Sequence, residues 1–363
     1  MSCPRWEGYT YASAEDHGIA RSALQPAAGM WPIRLSRIRP NLAIACWLAL
    51  TACSAQRYVD MSSANQGSRV DHIVIHFTGE RFGDALRLLT ERTAIPVSAH
   101  YLVPERGDPT YPRRRLRVHR LVDEQRSAWH AGESHWHGVD ALNARSIGIE
   151  IVNPSRCIDI DPGLEPSTPA NQRCVFHDFD PEQLELVVAL VHDILERYPR
   201  IDPVDVVGHA DIAPARRADP GPHFPWRLLY ERGIGAWYDD ATVAKYRRRF
   251  EAQPPSLALL QRALRIYGYE VAESGVNDPQ TQFVLRAFQM HFRPSNWSGQ
   301  PDPETAAILF TLIEKYRPSS LAALQAPVFG SAERLSQPAK TPSLTARKVK
   351  PMVTCPESRE EHR

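Results

Sequence analysis

Asp71-His72-Ile73-Val74-Ile75-His76-Phe77-Thr78 is an apolar, β-branched run that ends on a histidine, the pattern of a strand buried on both faces. Working outward from it, Ser146-Ile147-Gly148-Ile149-Glu150-Ile151-Val152 repeats the pattern and carries a single carboxylate. Val204 to Val207 is a third apolar run and leads into Gly208-His209. Ser98-Ala99-His100-Tyr101-Leu102-Val103 and the stretch from Val118 to Val122 read as further strands. Residues 81–92 read as a helix. A second helix opens at Asp180-Pro181-Glu182-Gln183, with Asp as cap and Pro in its first turn, and continues at helical spacing through Leu184, Val187, Val188, Val191, Ile194 and Leu195. Strands and helices in alternation predict an α/β class fold, a mixed central sheet flanked by helices.

Past Gln253-Pro254-Pro255 the composition changes. Leu257, Leu260, Leu264 and Ile266 mark one short helix; Val284, Leu285, Phe288 and Phe292 a second; Ala306, Ile308, Leu309, Leu312 and Ile313 a third. Asp278 and Asp302, each followed by Pro, are expected to cap the last two. From Pro318 onward the chain is rich in Pro, Ser, Ala and Lys without period, the composition of a disordered tail.

A length of 363 residues leaves room for two domains and tails. With 43% hydrophobic and 23% charged residues the balance is that of a globular protein, and a formal net charge of +1 nominates no nucleic-acid partner. The six cysteines form no CxxC pair, against a cysteine zinc knuckle. Cys157 and Cys174 flank one polar, Pro-containing loop; an oxidising compartment lets them close it as a disulfide, a reducing one leaves two thiols. Residues 42–52 are apolar but too short for a membrane helix, and Arg34, Arg37 and Arg39 precede them; this is the layout of a signal peptide. Residues 1–29 do not look like part of one, so translation is expected to start at Met30.

The chemistry-bearing residues are His76 and His209 at strand ends and Asp219 in the turn Asp219-Pro220-Gly221-Pro222. Two imidazoles and a carboxylate suit a zinc ion that keeps one position open. Among 14 histidines such a trio is weak evidence by itself. Its flanks carry more. Val74-Ile75-His76-Phe77-Thr78, Ala128-Trp129-His130-Ala131-Gly132, Ser146 to Asn153, Val207-Gly208-His209-Ala210-Asp211-Ile212-Ala213-Pro214, Asp219-Pro220-Gly221-Pro222 with Phe224-Pro225-Trp226, and Gly233-Ile234-Gly235-Ala236-Trp237 occur in this order. Together they resemble the type-2 N-acetylmuramoyl-L-alanine amidase family, in its outer-membrane lipoprotein branch. Leu50-Thr51-Ala52-Cys53 resembles a bacterial lipobox, which implies lipidation of Cys53 and, with Ser54 after it, an outer-membrane lipoprotein facing the periplasm. Leu260 to Leu264, Tyr267-Gly268-Tyr269, Gly275 to Thr281, Ala287-Phe288-Gln289 and Asp302-Pro303-Glu304-Thr305 resemble a three-helix peptidoglycan-binding module.

The resemblance implies zinc ligation by His76, His209 and Asp219, proton transfer by Glu150, and stabilisation of the oxyanion by Arg217, which stands where the family usually has Lys. Trp129 is a candidate for contact with substrate, and His130 reads either as such a contact or as a structural histidine packed on Trp129. His72 and His100 read as neighbours of the site, and Trp136, Trp226 and Trp237 as buried core. The expected layout is a signal segment over 1–52, a tether over 53–69, a zinc amidase domain over 70–245, the peptidoglycan-binding domain over 256–316 and the tail over 318–363. The expected partners are peptidoglycan or its muropeptides and a membrane through the lipid anchor, with the protein a monomer. A non-catalytic peptidoglycan receptor of the same fold is the alternative. A zinc peptidase is disfavoured because no HExxH helix is present, and a glycosidase because no pair of carboxylates is singled out.

Overall fold

The computed structural model describes residues 61, 65, 67–164 and 167–325, and the described residues from 67 onward belong to one compact unit. The readings of the signal segment, of Cys53 and of the chain after 325 lie outside the described residues. In chain order the strands are β1 (His72–Phe77), β2 (Tyr101–Val103), β3 (His119–Arg120), a small pair β4 (His135–Trp136) and β5 (Val139–Asp140), β6 (Ser146–Ile151), a hairpin β7 (Arg156–Asp159) and β8 (Gln172–Val175), and β9 (Val206–Gly208). The helices are α1 (Phe82–Thr90), α2 (Pro181–Arg197), α3 (His209–Ile212), α4 (Trp226–Glu231), α5 (Asp240–Ala252), α6 (Leu257–Tyr267), α7 (Pro279–Phe292), α8 (Pro303–Tyr316) and α9 (Leu321–Gln325).

The central sheet has five strands in the order β3-β2-β6-β1-β9. β1 runs parallel to both β6 and β9, and β3 alone is antiparallel to its neighbour, so the sheet is mixed as expected. Ile73, Ile75, Ile147, Ile149 and Ile151 are fully buried, which is why these strands read as continuous apolar runs rather than alternating ones. Asp180 caps α2 by accepting from the Gln183 backbone N–H, with Pro181 in the first turn. Val187, Val191 and Ile194 of α2 join the same core as the sheet. β2 and β3 are shorter than the sequence predicts. The His100 backbone still bonds to Gly148 and Leu121 on either side, while its Nδ1 accepts from the Gly148 backbone N–H and its Nε2 donates to the Arg126 carbonyl.

Asp278 and Asp302 cap α7 and α8 through backbone N–H groups of Thr281, and of Glu304 and Thr305. Three features depart from the sequence reading. α5 straddles the expected domain boundary at 245. Its charged composition hides an apolar edge, Tyr246 and Phe250, that packs against Phe310 of α8. Chain order thus assigns α5 to the first domain, while its packing assigns it to the second. The stretch after Pro318 is not featureless: α9 forms there and buries Leu324. Finally, residues of the sheet and of α6, α7 and α8 belong to one continuous apolar core, so α6 to α8 are built into the body of the fold. Cys157 and Cys174 face each other across β7 and β8 and are joined as a disulfide.

Truncating Phe250 tests the placement of α5. Phe250→Ala removes a ring that is 3% exposed and packed edge-on against Phe310. The expected loss in urea unfolding is about 3–5 kcal/mol; a change under about 1 kcal/mol would show that α5 does not pack as described.

Candidate metal centre

Strand register builds the site. β1 and β6 pair so that His76 lies directly beside Glu150, and β1 and β9 pair so that Ile75 lies beside Gly208. His209, the next residue, therefore starts α3 next to His76. Asp219 returns to the same point in a turn whose Asp219–Pro220 peptide is cis. That return needs Gly208: a Cβ there would come within 2.6 Å of Pro220 Cδ. The three side chains are buried. His76 Nδ1 lies 2.9 Å from His209 Nδ1 and 3.0 Å from Asp219 Oδ2, and His209 Nδ1 is 3.2 Å from the same oxygen.

Hydrogen bonds behind these rings fix which nitrogens are free. His209 Nε2 donates to the Ala131 carbonyl at 3.1 Å, leaving its Nδ1 with a lone pair. Ser146 Oγ donates to the Leu142 carbonyl at 2.7 Å. It therefore accepts from His130 Nε2 at 3.2 Å. His130 Nδ1 then accepts from His76 Nε2 at 3.0 Å, and the His76 Nδ1 lone pair faces inward. Two nitrogen lone pairs and a carboxylate oxygen about 3 Å apart repel one another unless a cation sits among them. All three candidate donor atoms lie within 4.8 Å of one another, and their separations approach the roughly 3.3 Å edge of a tetrahedron with zinc–nitrogen bonds of about 2.05 Å. The donor set fits a divalent metal.

The electrostatics agree. Burial, helped by His209, pulls His76 down to about 4, and burial puts His130 well below its ordinary value; both rings are neutral near pH 7, as ligand and ligand support require. Glu150 is the opposite case. Burial first and Asp219 second push its pKa well above normal, with Arg217 opposing. Its Oε2 is enclosed and has no hydrogen-bond partner.

The remaining predicted residues separate. Arg217 is exposed, and its charge reaches both Glu150 and His76. Among the described residues no hydrogen bond or ion pair to its side chain is seen. Trp129 projects its ring outward, 53% exposed. His130 does not sit on the open side of the site. It is buried beneath His76 with both ring nitrogens bonded, and Gly148 makes the room: a Cβ there would meet the His130 ring at 2.3 Å. The sequence reading of His130 as a substrate contact is corrected accordingly. His72 points away to Asp71 and Asp205, and Trp136, Trp226 and Trp237 are buried core.

Sequence reasoning missed a second support. Asp211, two residues after His209, is buried and accepts from the Gly208 backbone N–H at 2.8 Å. It also takes Tyr269 Oη–H at 2.5 Å and His291 Nδ1 at 2.7 Å, and the His291 ring stacks on Trp226 at 3.9 Å. Tyr269 and His291 come from the helical module, so that module braces the loop that carries His209. Arg216 joins in through the Ala131 carbonyl at 3.1 Å, the acceptor that His209 also uses. Nothing in the spacing of Asp211, Tyr269 and His291 signals their convergence.

Residues 66–222 match the N-acetylmuramoyl-L-alanine amidase family, and residues 253–309 match a peptidoglycan binding domain family. The chain is 42% identical over 228 residues to the N-acetylmuramoyl-L-alanine amidase AmiD of Escherichia coli, covering 62% of this chain and 76% of that protein. The crystal structure of AmpDh3 from Pseudomonas aeruginosa superposes with a TM-score of 0.64 at 43% identity, over 73% of this chain and 98% of that one. Escherichia coli AmiD, in complex with the substrate anhydro-N-acetylmuramic acid-L-Ala-D-gamma-Glu-L-Lys, superposes with a TM-score of 0.58 at 40% identity, over 70% of this chain and 93% of that one.

Replacing His130 by Phe keeps bulk over Gly148 and removes the acceptor for His76 Nε2. The expected result is a loss of roughly 10–100-fold in divalent-metal affinity, read by competition with a chromophoric chelator. Unchanged affinity would mean that the Ser146–His130–His76 chain does not set the tautomer of His76.

Proposed function

The chain belongs to the N-acetylmuramoyl-L-alanine amidase family, and we propose that it hydrolyses the amide between N-acetylmuramic acid and L-alanine with a zinc ion held by His76, His209 and Asp219. The observation that carries this reading is the buried convergence of two imidazole lone pairs and one carboxylate oxygen beside the unpartnered Glu150. The substrate is peptidoglycan or its fragments. AmpDh3 and AmiD have been solved with an anhydromuramic pentapeptide and an anhydromuramyl tripeptide respectively, which supports a muropeptide of this class as a ligand here. A receptor that only binds would have no use for a complete donor set with a proton carrier beside it.

Bound in this pocket, zinc supplies a Lewis acid that polarises a carbonyl and acidifies water. The protein's own side chains do the rest. Ser146 and His130 keep His76 in the tautomer that presents Nδ1, and the Ala131 carbonyl does the same for His209. Glu150 takes a proton from the attacking water and returns it to the leaving amine of L-alanine. Burial raises its pKa, which makes it a stronger base than a solvated carboxylate. Arg217 donates hydrogen bonds to the oxygen that gains negative charge. Its planar fork differs from the usual lysine in reach but keeps the charge. The exposed ring of Trp129 offers a stacking surface for a sugar.

The lipobox at Leu50 to Cys53 supports a periplasm-facing lipoprotein anchored to the outer membrane by Cys53. Among the described residues no helix is long and apolar enough to cross a membrane. On this reading Cys53→Ser shifts the protein from the membrane fraction to the soluble periplasm; retention in the outer membrane would count against it.

Digestion of purified sacculi tests the activity. The parent protein is expected to release stem peptides that begin at L-alanine, and to stop on chelation. Glu150→Gln is expected to lower turnover by at least about 10²-fold while metal stays bound. Products cut at glycosidic bonds, or intact sacculi with protein attached, would overturn the proposal.

A further inference from the structure

Arg286 lies on α7, outside the metal centre, and is 2% exposed. Its Nε and Nη1 are enclosed without a hydrogen-bond partner. Buried guanidinium groups are ordinarily paired, because removing the charge from water without replacing its hydrogen bonds is costly. The face of Phe283 lies against it, 4.9 Å from the guanidinium carbon. Asp159 of β7 is close enough to act on Arg286 through space, yet no ion pair joins them among the described residues. Burial accordingly draws Arg286 down to about 10, where it still carries its charge at neutral pH.

Arg286 lines a crevice of about 350 Å³. One wall is Pro169 and Ala170, in the loop between β7 and β8 that the Cys157–Cys174 disulfide closes. The other is α7 and the segment carrying Asn296, Trp297 and Gln300. Trp297 is half-buried, its ring held edge-on by Phe176 at 5.4 Å. Gln300 Oε1 accepts from Asn277 Nδ2 at 3.0 Å, which turns the Gln300 amide donors to other partners. A buried fork of donors, a fixed indole and amide side chains form the set that recognises a carboxylate carried on a sugar or peptide chain.

We propose that this crevice is a second ligand site, in which Arg286 binds a carboxylate of peptidoglycan and Trp297 packs against the chain that bears it. The proposal rests on peptidoglycan being the substrate. It gives the helical module a particular means of holding that polymer while another segment is cut, which raises the effective concentration at the metal centre. Two carboxylates have the required chemistry: those of the stem peptides in uncut wall, and the lactyl group left on the glycan once the amide is hydrolysed.

The test uses the mature chain carrying Glu150→Gln, so that ligand is not consumed, and isothermal titration with three probes: a free stem peptide, a peptide-free glycan with lactyl carboxylates, and inorganic phosphate. One of the two carboxylate probes is expected to bind, and Arg286→Met to weaken that binding about tenfold or more. Because Met replaces an unpaired buried charge at similar volume, the melting temperature without ligand is expected to hold or rise. With Glu150 intact, hydrolysis of a small soluble muropeptide by Arg286→Met is expected to match the parent. Equal binding by parent and Arg286→Met, or preference for phosphate, would each overturn the proposal. If Arg286→Met does not fold, Trp297→Ala takes its place, and unchanged binding there would overturn it equally. Failure of the parent to hydrolyse the soluble muropeptide would instead reject the amidase reading and leave the binding result to stand or fall separately.

Discussion

The pairing of β1 with β6 on one side and β9 on the other is the constraint on which the rest depends. Both pairings are parallel and in fixed register. They put His76 beside Glu150, and deliver His209 to the end of β9 next to them. A slip of one residue would turn every side chain of β1 to the other face, taking His76 off the face it shares with Glu150. The fully buried isoleucines at 73, 75, 147, 149 and 151 hold the register through packing. The hydrophobic core and the metal centre are thus two consequences of one strand alignment.

Around that alignment the fold spends its polar groups on orientation. Each histidine of the centre has its far nitrogen committed, His209 to a carbonyl and His76 to His130. The second of these is relayed through Ser146 to a main-chain carbonyl, so the tautomer of a buried ring is fixed by backbone geometry several bonds away. The approach of His130 depends on the missing side chain of Gly148, and the return of Asp219 on that of Gly208. Glu150 Oε2 is left without any partner in this otherwise satisfied surround. A carboxyl group kept free of hydrogen bonds and raised in pKa can exchange protons with a substrate, whereas a fully bonded one is committed to structure.

The helical module is more than an appended wall-binding unit. Tyr269 and His291 close on Asp211, which in turn ties down the backbone at Gly208 beside His209. A buried carboxylate with three donors is strongly held, and two of those donors come from the module. The module that matches a peptidoglycan binding domain family therefore also holds the backbone that leads into His209. α5 adds to it, since Tyr246 and Phe250 cover α8.

The sequence by itself determined which residues could carry chemistry, and where helices begin. His76, His209 and Asp219 lie at strand ends and in a proline turn, and the resemblance of their flanking motifs to the amidase family singled them out together with Glu150; Asp180, Asp278 and Asp302 stand out because capping is a matter of three or four residues. It also determined the α/β class, since a buried strand writes its environment into consecutive positions. Only the tertiary structure decided that His130 lies under His76 rather than over it, that Asp211 is clamped by Tyr269 and His291, that α5 packs with the second module, and that Leu321–Gln325 folds back. These depend on pairings between residues tens of positions apart, and periodicity along the chain carries no record of partners across it. A histidine with both nitrogens bonded and a histidine facing solvent are the same letter; burial and the positions of distant donors and acceptors distinguish them.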